Sequence, residues 1–219
     1  MSTIIRLAEE RDFDRIMDVE KAAYEKYLQA PIDVFEFRYH IHPEGFWVAD
    51  LDGEVFGYST CMRMWIDPKF PPKTREDAIG YFSASDGKMH GLGLHHNPEG
   101  NTLYGMSTAV HPEYTRRGVG TQLIRASQRF VIDNDMDFRL AGLRMAGYDS
   151  HCKRTVDMSA EEYIKLRDYT RDGQPYEGWQ RLFARNGFEV LGVEENYYPE
   201  DIASRGYGLL MLWQNKRES

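Results

Sequence analysis

Cysteine is scarce and long apolar runs are lacking in this 219-residue sequence. The two cysteines, Cys61 and Cys152, allow at most one disulfide and have no metal-type spacing, which favours a reduced cytoplasmic protein. No run of about 18 apolar residues exists, so no transmembrane helix is predicted. The N-terminal segment has too short an apolar part, followed too soon by acidic residues, to be typical of a signal peptide. We therefore expect neither export nor membrane association.

Acidic residues outnumber basic ones, and the formal net charge is −8. This charge disfavours nonspecific binding to nucleic acids and to anionic membrane surfaces. It suits a cationic substrate, although many acidic proteins bind nothing cationic. His90, His95 and His96 form a small cluster, but they lack the spacing and the acidic partners of a metal site. No metal is therefore predicted.

Hydrophobic periodicity predicts one mixed α/β domain around a single sheet. Strand patterns cover 4–7, 45–50, 55–65, 102–110, 138–145, 188–193 and 207–213, and helical patterns cover 12–27, 32–39, 119–134, a segment that opens at 159, and 175–186. The Asp-Gly pair at 52–53 predicts a hairpin between the second and third strands. Residues 66–101 lose this periodicity and are interpreted as an insertion with one short helix near 74–82.

The segment between the fourth strand and the next helix has the composition of an anion-binding site. A helix N-terminus presents unpaired N–H groups and a partial positive charge. Gly118 and Gly120 let the backbone approach a bulky ligand, and Arg116 and Arg117 add positive charge. Leu123 breaks the Rossmann fingerprint, and no Gly-Lys-Ser/Thr of a Walker loop follows. The pattern therefore favours a pyrophosphate ligand.

This segment, together with the Val-His-Pro at 110–112 before it, resembles the acyl-CoA signature of the GNAT superfamily of acyltransferases. Residues 181–193 are similar to the family's helix, Asn-Gly-Phe and strand. The C-terminal half, including Arg144, Tyr148 and the stretch 158–163, resembles GNAT domains fused to nitrilase-like carbon–nitrogen hydrolases. Because the sequence stops at Ser219, we expect a free-standing GNAT domain over residues 1–219.

The resemblance implies a mixed, mostly antiparallel sheet of about seven strands, splayed between strands 4 and 5 and flanked by helices. It also implies acetyl-CoA or another acyl-CoA as co-substrate. Backbone amides would hold the pyrophosphate, and the splayed strand would pair with the pantetheine arm. Thr115 replaces the family's usual Gln or Arg at the first motif position. The implied cofactor-binding residues are Thr108, Ala109, Val110, Thr115, Arg116, Arg117, Gly118, Val119, Gly120 and Thr121.

The reaction implied by the resemblance is N-acylation of a small-molecule amine by direct attack on the thioester. It needs a base for the amine, an N–H near Val110 for the oxyanion and an acid for the departing thiolate. In many relatives a Tyr supplies the acid and an Asn contacts the cofactor, but Phe183 and Tyr176 occupy those positions here. Our candidate catalytic residues follow the fifth strand, with a solvated loop as the alternative interpretation: Tyr148, Asp149 and His151.

Other functions stay open at this point. The missing Tyr motivates a non-catalytic module that binds or senses acyl-CoA, and the fold would also serve an O-acyltransferase or a thioester decarboxylase. Tyr24, Tyr27 and the pair Glu20 and Glu25 lie near the end of the first helix, where relatives often place the substrate-side wall, but a plain amphipathic helix with a solvated charged face is the favoured interpretation. Relatives often form homodimers, and the oligomeric state is left open. A cationic amine would suit the aromatic and acidic residues between the last two strands, Glu194, Glu195, Tyr197 and Tyr198.

Overall fold

Seven strands form one mixed sheet in the computed structural model, which describes residues 3–83, 88–91 and 93–216. The order across the sheet is β1-β2-β3-β4-β5-β7-β6, and all neighbours are antiparallel except β4 and β5, which are parallel. The predicted fold class is thereby confirmed. The strands are β1 (Ile4–Leu7), β2 (Phe46–Leu51), β3 (Glu54–Met64), β4 (Thr102–Val110), β5 (Phe138–Arg144), β6 (Glu189–Glu194) and β7 (Gly208–Gln214).

The hairpin between β2 and β3 forms at the predicted Asp-Gly pair. Asp52 and Gly53 both have positive φ, 55° and 90°, which is the geometry of a tight two-residue hairpin turn. The Gly53 N–H donates to the Asp50 carboxylate at 2.7 Å and stabilises this turn. Local turn chemistry therefore sets the register of the sheet's first hairpin.

Seven α-helices accompany the sheet, and several differ from their predicted bounds. They are α1 (Phe13–Ala23), α2 (Ile32–Ile41), α3 (Arg75–Ile79), α4 (Val119–Asp133), α5 (Tyr148–Arg154), α6 (Ala160–Tyr163) and α7 (Gly178–Ala184). α1 ends earlier than predicted because Tyr24 takes an extended conformation. α7 starts later because Pro175 instead pairs with Arg167 in a two-residue strand. α5 was not predicted; its seven residues are too few to show a clear helical period.

The two faces of the sheet carry different helices. Along β2, Phe46 and Val48 pack with α1 and α2, whereas Trp47 and Ala49 pack with α4. Successive strand residues point to opposite faces, so these two sets define an α1 face and an α4 face. α7 lies on the α4 face, where the side chain of Leu182 meets Gly120 of α4. Any ligand between β4 and β5 therefore meets different chemistry on each side.

The described part of the 66–101 segment packs on the α1 face. α3 begins at a capping box in which Thr74 and Asp77 bond each other's backbone. Its apolar residues Ala78 and Ile79 contact a cluster that includes Tyr104 and Leu140 of the sheet. A small antiparallel hairpin, Tyr81–Ser83 with Lys88–His90, was not predicted. The segment thus covers the part of the α1 face that α1 and α2 leave open.

Candidate active site

The backbone between β4 and α4 turns sharply through two left-handed residues. Arg116 has φ 62° and Gly118, the N-cap of α4, has φ 81°. A Cβ on Gly118 would meet nothing within 4 Å, so the space beside this residue is open. A Cβ on Gly120 would lie 3.2 Å from Leu182. Gly118 therefore provides the open approach that was predicted, while Gly120 permits the close packing of α4 on α7.

The N-terminus of α4 carries positive charge with few internal partners. No side chain caps this helix, so its first N–H groups have no intrahelical acceptor. Arg116 and Arg117 are exposed, and no carboxylate of the described residues forms an ion pair with either. The Arg117 guanidinium lies 5.1 Å from the centroid of the Tyr114 ring, which stacks on Phe56. The arrangement can bind a polyanion through backbone N–H groups and two arginines.

β4 and β5 separate halfway along their length. Their parallel pairing joins Thr102–Gly105 to Phe138–Ala141 and extends no further in the described residues. At this point β4 also contains a bulge, because Thr60 pairs with Ser107 while Cys61 pairs with Gly105, leaving Met106 without a partner on β3. We call the space between the diverging halves the β4–β5 gap.

The backbone groups of β4 alternate between β3 and the gap. The His111 N–H donates to the Phe56 carbonyl at 2.8 Å. Antiparallel alternation then directs Ala109 toward β3 and directs the N–H and C=O of Thr108 and Val110 into the gap. Of the three β4 residues predicted to contact a pantetheine arm, Thr108 and Val110 therefore offer backbone groups to the gap, and Ala109 does not.

Tyr24 reaches the edge of the gap from the end of α1. Its hydroxyl donates to the Thr108 carbonyl at 2.9 Å. Burial, and next the charge of Glu20, raise the pKa of Tyr24 to about 12. The hydroxyl therefore stays protonated at neutral pH and remains a hydrogen-bond donor. The sequence favoured a plain helical position for Tyr24, because its contact with Thr108 joins residues 84 positions apart.

A buried carboxylate lies beside Tyr24 on the α1 face. Glu20 is 2% exposed; one of its oxygens accepts a hydrogen bond from the Tyr58 hydroxyl and the other accepts one from the Ala30 N–H at 2.8 Å. Tyr58 also lies 3.1 Å from Ser107 Oγ on β4. Burial raises the pKa of Glu20, and the hydrogen bonds from Tyr58 and Ala30 offset part of that rise. The sequence did contain one signal for this residue: Glu20 is a charged residue on the apolar face of the predicted helix, where charged side chains are rare.

The three predicted catalytic residues lie on α5, where their contacts are mainly structural. Tyr148 is 3% exposed and donates to the Met158 carbonyl at 2.6 Å. Asp149 is paired with Lys153 at 2.7 Å and with Arg205 at 3.1 Å, and these contacts, with Lys153 the larger, lower the pKa of its carboxyl. The ring of His151 packs against Tyr163 and Tyr176 without a described hydrogen bond.

The position of the family's usual tyrosine acid is part of the core. Phe183 is 3% exposed and its ring packs edge-on against Phe188 at a centroid distance of 4.9 Å. Tyr176 lies before α7 and is 36% exposed. On the opposite face of the sheet, the Tyr24 hydroxyl reaches the β4–β5 gap.

The residues between β6 and β7 do not form the acidic and aromatic wall suggested for an amine. Glu194 pairs with Lys73 at 2.9 Å, and Glu195 is exposed. Tyr197 is fully buried and its hydroxyl bonds that of Tyr104. Tyr198 donates to the Gly142 carbonyl on β5 at 2.7 Å. The two tyrosines therefore bind the loop to the sheet, Glu194 is paired with Lys73, and Glu195 is left exposed.

Other predicted features have simple structural contacts. His111 accepts from the Glu113 N–H at 3.4 Å, as the cap of a short 3-10 turn. Cys61 and Cys152 are both free and buried. Within residues 3–83, 88–91 and 93–216, no group of three or more His, Cys, Asp or Glu side chains could hold a metal ion. No described helix is long and apolar enough to cross a membrane.

Comparison with known proteins identifies relatives along nearly the whole chain. The model of the Acetyltransferase (GNAT) family matches residues 13–141. The probable hydrolase YhcX of Bacillus subtilis (strain 168) is 28% identical over 97% of this chain and 38% of its own length, so the chain spans well under half of that relative. The uncharacterized N-acetyltransferase YkwB of the same organism is 26% identical over 96% of this chain and 88% of its own length.

The fold also matches solved structures. The GphF GNAT-like decarboxylase, in complex with isobutyryl-CoA, superposes with a TM-score of 0.76 at 21% identity, covering 96% of this chain and 98% of that one. At this level of identity the likeness concerns the fold alone.

Proposed function

Because the chain belongs to the GNAT acetyltransferase family, we propose that it is an acyl-CoA-dependent N-acyltransferase that transfers an acetyl or other acyl group to the amine of a small molecule. The observation that carries this proposal is the position of the β4–β5 gap beside an uncapped, basic helix N-terminus. One end of that gap suits a pyrophosphate, and its open backbone suits an amide-containing arm. The amine would attack the thioester directly, without a covalent enzyme intermediate.

Acyl-CoA binding is assigned to the loop and to the free edge of β4. The backbone between Arg116 and Thr121, with the two exposed arginines, would hold the pyrophosphate. The cofactor-binding role of Thr115 and Val119 likewise rests on their position in this loop. Thr108 and Val110 would bond the pantetheine arm through their backbone groups. The open space beside Gly118 and the absence of a side-chain cap fit this ligand.

The chemistry needs three contributions from the protein. The new C–N bond forms as the amine attacks, and the oxyanion is stabilised by the Val110 N–H. The C–S bond then breaks and the sulfur leaves as a thiolate. We propose that the Tyr24 hydroxyl, which donates to the Thr108 carbonyl in the free protein, rotates to donate its hydrogen bond to this sulfur instead. Because the pKa of Tyr24 is about 12, above that of a thiol, Tyr24 would stabilise the thiolate without handing over its proton.

The amine must also lose a proton. Among the predicted candidates Tyr148, Asp149 and His151, the first two have their polar atoms engaged by other residues. His151 has no described hydrogen bond to its ring nitrogens, and an imidazole suits proton transfer near neutral pH. We therefore retain His151 as the proposed base and test the other two alongside it.

Replacement of Tyr24 by Phe is expected to lower kcat by about 10- to 100-fold, since one preorganised donor at a developing charge contributes on this scale. The Kd for acetyl-CoA should stay within about threefold, because the backbone contacts proposed for binding remain. The measurement is acetyl-CoA-dependent thiol release over a panel of primary amines. Tyr27→Phe is the matched control, since Tyr27 is 48% exposed and has no described hydrogen bond.

Equal turnover by Tyr24→Phe and wild type would remove the role of Tyr24. In the same assay, His151→Gln should lose activity if His151 is the base, whereas Tyr148→Phe and Asp149→Asn should keep the wild-type pH profile.

Acetyl-CoA binding without thiol release for any amine would favour the second candidate, a non-catalytic acyl-CoA-binding module. The core position of Phe183 supports that candidate. Release with alcohols, or CO₂ from a carboxylated acyl-CoA, would identify an O-acyltransferase or a decarboxylase.

A further inference from the structure

Arg38 is a buried cation without an ion-pair partner among the described residues, and its guanidinium lies 5.6 Å from the centroid of the Phe35 ring. It lies on α2 and is 3% exposed, and its Nε and Nη1 atoms are buried with no hydrogen-bond acceptor. A buried, unpaired charge is costly, so such a side chain is unusual without a ligand. Burial, and next the charge of Arg75, lower the pKa of Arg38 to about 10, so the guanidinium remains charged at neutral pH.

Arg75 places a second cation in the same region. It is the first residue of α3, half-buried, and its N–H donates to the Tyr197 carbonyl at 3.3 Å. Its charge lowers the pKa values of Tyr24 and Tyr198, against the larger effect of burial, which raises both. The guanidinium therefore lies close to the hydroxyls on the α1 face. No carboxylate of the described residues forms an ion pair with Arg75.

The carboxylates around these arginines are already engaged. Glu20 is held by Tyr58 and Ala30, and its pKa is raised by burial. Asp201 is held by Arg144. Glu25 is largely exposed, and Arg144 is its described ion-pair partner. Burial raises the pKa of Glu20 and the charges of Arg38 and Arg75 act against that rise, so Glu20 lies within electrostatic reach of both arginines without a described ion pair to either. Two cations therefore face this one buried carboxylate.

The position of Arg38 connects this charge to the reaction site. Arg38 lines a small cavity together with Met62 and Met106. Met106 is the bulged residue at which β4 and β5 diverge. An anionic group that paired with Arg38 would therefore lie at the β4–β5 gap, on the face opposite α4.

We propose that Arg38 and Arg75 form a carboxylate-binding subsite on the α1 face, and that one substrate of the transfer carries a carboxylate. This inference rests on the proposed acyltransferase function. Guanidinium groups bind carboxylates through paired, charge-assisted hydrogen bonds, which gives both affinity and orientation. The carboxylate has two sources with the same chemistry: an amino acid as the acceptor, or an acyl chain that ends in a carboxylate.

Matched substrate pairs distinguish the two sources. Succinyl-CoA is compared with butyryl-CoA, which has the same chain length without the charge, and each of the twenty amino acids is compared with its carboxamide. Wild type is expected to prefer the carboxylate member of one pair by about 100-fold in Kd and kcat/KM, since a charged hydrogen-bonded group contributes on this scale. A preference for succinyl-CoA over butyryl-CoA would show that the acyl chain carries the carboxylate. A preference for an amino acid over its carboxamide would show that the acceptor carries it.

Two variants test the residues themselves. Arg38→Met keeps an unbranched side chain of similar length, and Arg75→Gln retains a polar group at a half-buried position that tolerates change. Both should reduce the preference to below about tenfold, while Arg125→Gln, an exposed substitution on α4, should keep it. Kd is measured by calorimetry, with amino acids added to the CoA complex, so the subsite is tested even if no amine is acylated.

Equal affinity of wild type for both members of every pair would overturn the subsite, as would a preference that persists in Arg75→Gln. Failure of the proposed function has a different signature. In that case acetyl-CoA binds and no amine is acylated, while the calorimetric preference for the carboxylate and its loss in Arg75→Gln still report on the subsite. If Arg38→Met does not fold, Arg75→Gln decides the result.

Discussion

Gly118→Asp is expected to abolish acyl-CoA binding while leaving the free protein folded. Asp tolerates the left-handed conformation better than most residues and is a preferred N-cap, so the free energy of unfolding should change by no more than about 1 kcal/mol. Its carboxylate, however, would occupy the open space beside α4 and repel a pyrophosphate there. Acetyl-CoA at 100 times the wild-type Kd should stabilise wild type by about 2.7 kcal/mol, and should not stabilise the variant measurably.

Gly118→Asn is the matched control, because Asn has the same size and also tolerates a positive φ, but carries no charge. We expect its Kd to rise by about tenfold or less, against more than about 100-fold for Asp. Thermal shift and calorimetry with acetyl-CoA and free CoA make the comparison. Wild-type affinity in Gly118→Asp would place the pyrophosphate elsewhere and contradict the proposed cofactor site.

Arg144→Ala is expected to lower the free energy of unfolding by about 3–5 kcal/mol, because it leaves a buried carboxylate without its partner. Arg144 lies at the end of β5 and donates two hydrogen bonds to Asp201, at 2.6 and 2.8 Å, while the Asp201 side chain is fully buried. For a chain of this size each kcal/mol corresponds to roughly 2–4 °C in Tm, so Tm should fall by about 6–20 °C. Denaturant unfolding monitored by circular dichroism measures the change.

The effect of Arg144→Ala should depend on pH. Burial alone would raise the pKa of Asp201, but hydrogen bonds from Arg144 and Ser204 outweigh burial and lower it. A lowered folded-state pKa contributes stability that is present above the unfolded-state pKa and lost as pH falls through the folded-state value. The difference between wild type and variant should therefore narrow in the acidic range. Arg129→Ala, which breaks an exposed pair with Asp133, should cost below about 0.5 kcal/mol at every pH.

The sequence predicted most of the longer strands and helices well, because their formation depends mainly on the local hydrophobic pattern. β4 has the predicted bounds, and α4 has nearly the predicted bounds, since each shows a clear period of two or of 3.6 residues. The turn at Asp52 and Gly53 likewise depends only on neighbouring residues. Short elements were missed or misjudged. α5 and the two small hairpins contain too few residues for periodicity to distinguish them from loops.

The candidate site likewise has one part that could be predicted from the sequence and one part that could not. The loop from Thr115 to Thr121 is contiguous, so its glycines and arginines could be recognised together in the sequence. The residues of the proposed sites on the α1 face come instead from separate elements: Tyr24 follows α1, Arg38 belongs to α2 and Arg75 begins α3. Nothing in their local spacing indicates that they meet. The sequence also predicted a catalytic role for Tyr148 and Asp149, which stays a prediction; in the structure Tyr148 donates to the Met158 carbonyl and Asp149 pairs with Lys153.

Composition and local pattern by themselves determined a mixed α/β chain with an anion-binding strand–loop–helix segment, because backbone conformation and helix termini depend on neighbouring residues. The tertiary structure decided which charged groups lie on the α1 face of the β4–β5 gap. A net charge of −8 suits a cationic substrate, whereas packing buries Arg38 with two guanidinium nitrogens that have no hydrogen-bond acceptor, and it binds Asp201 to Arg144. The charge that a substrate meets is set by which side chains are buried and left unpaired, and only the arrangement of the elements around the sheet determines that.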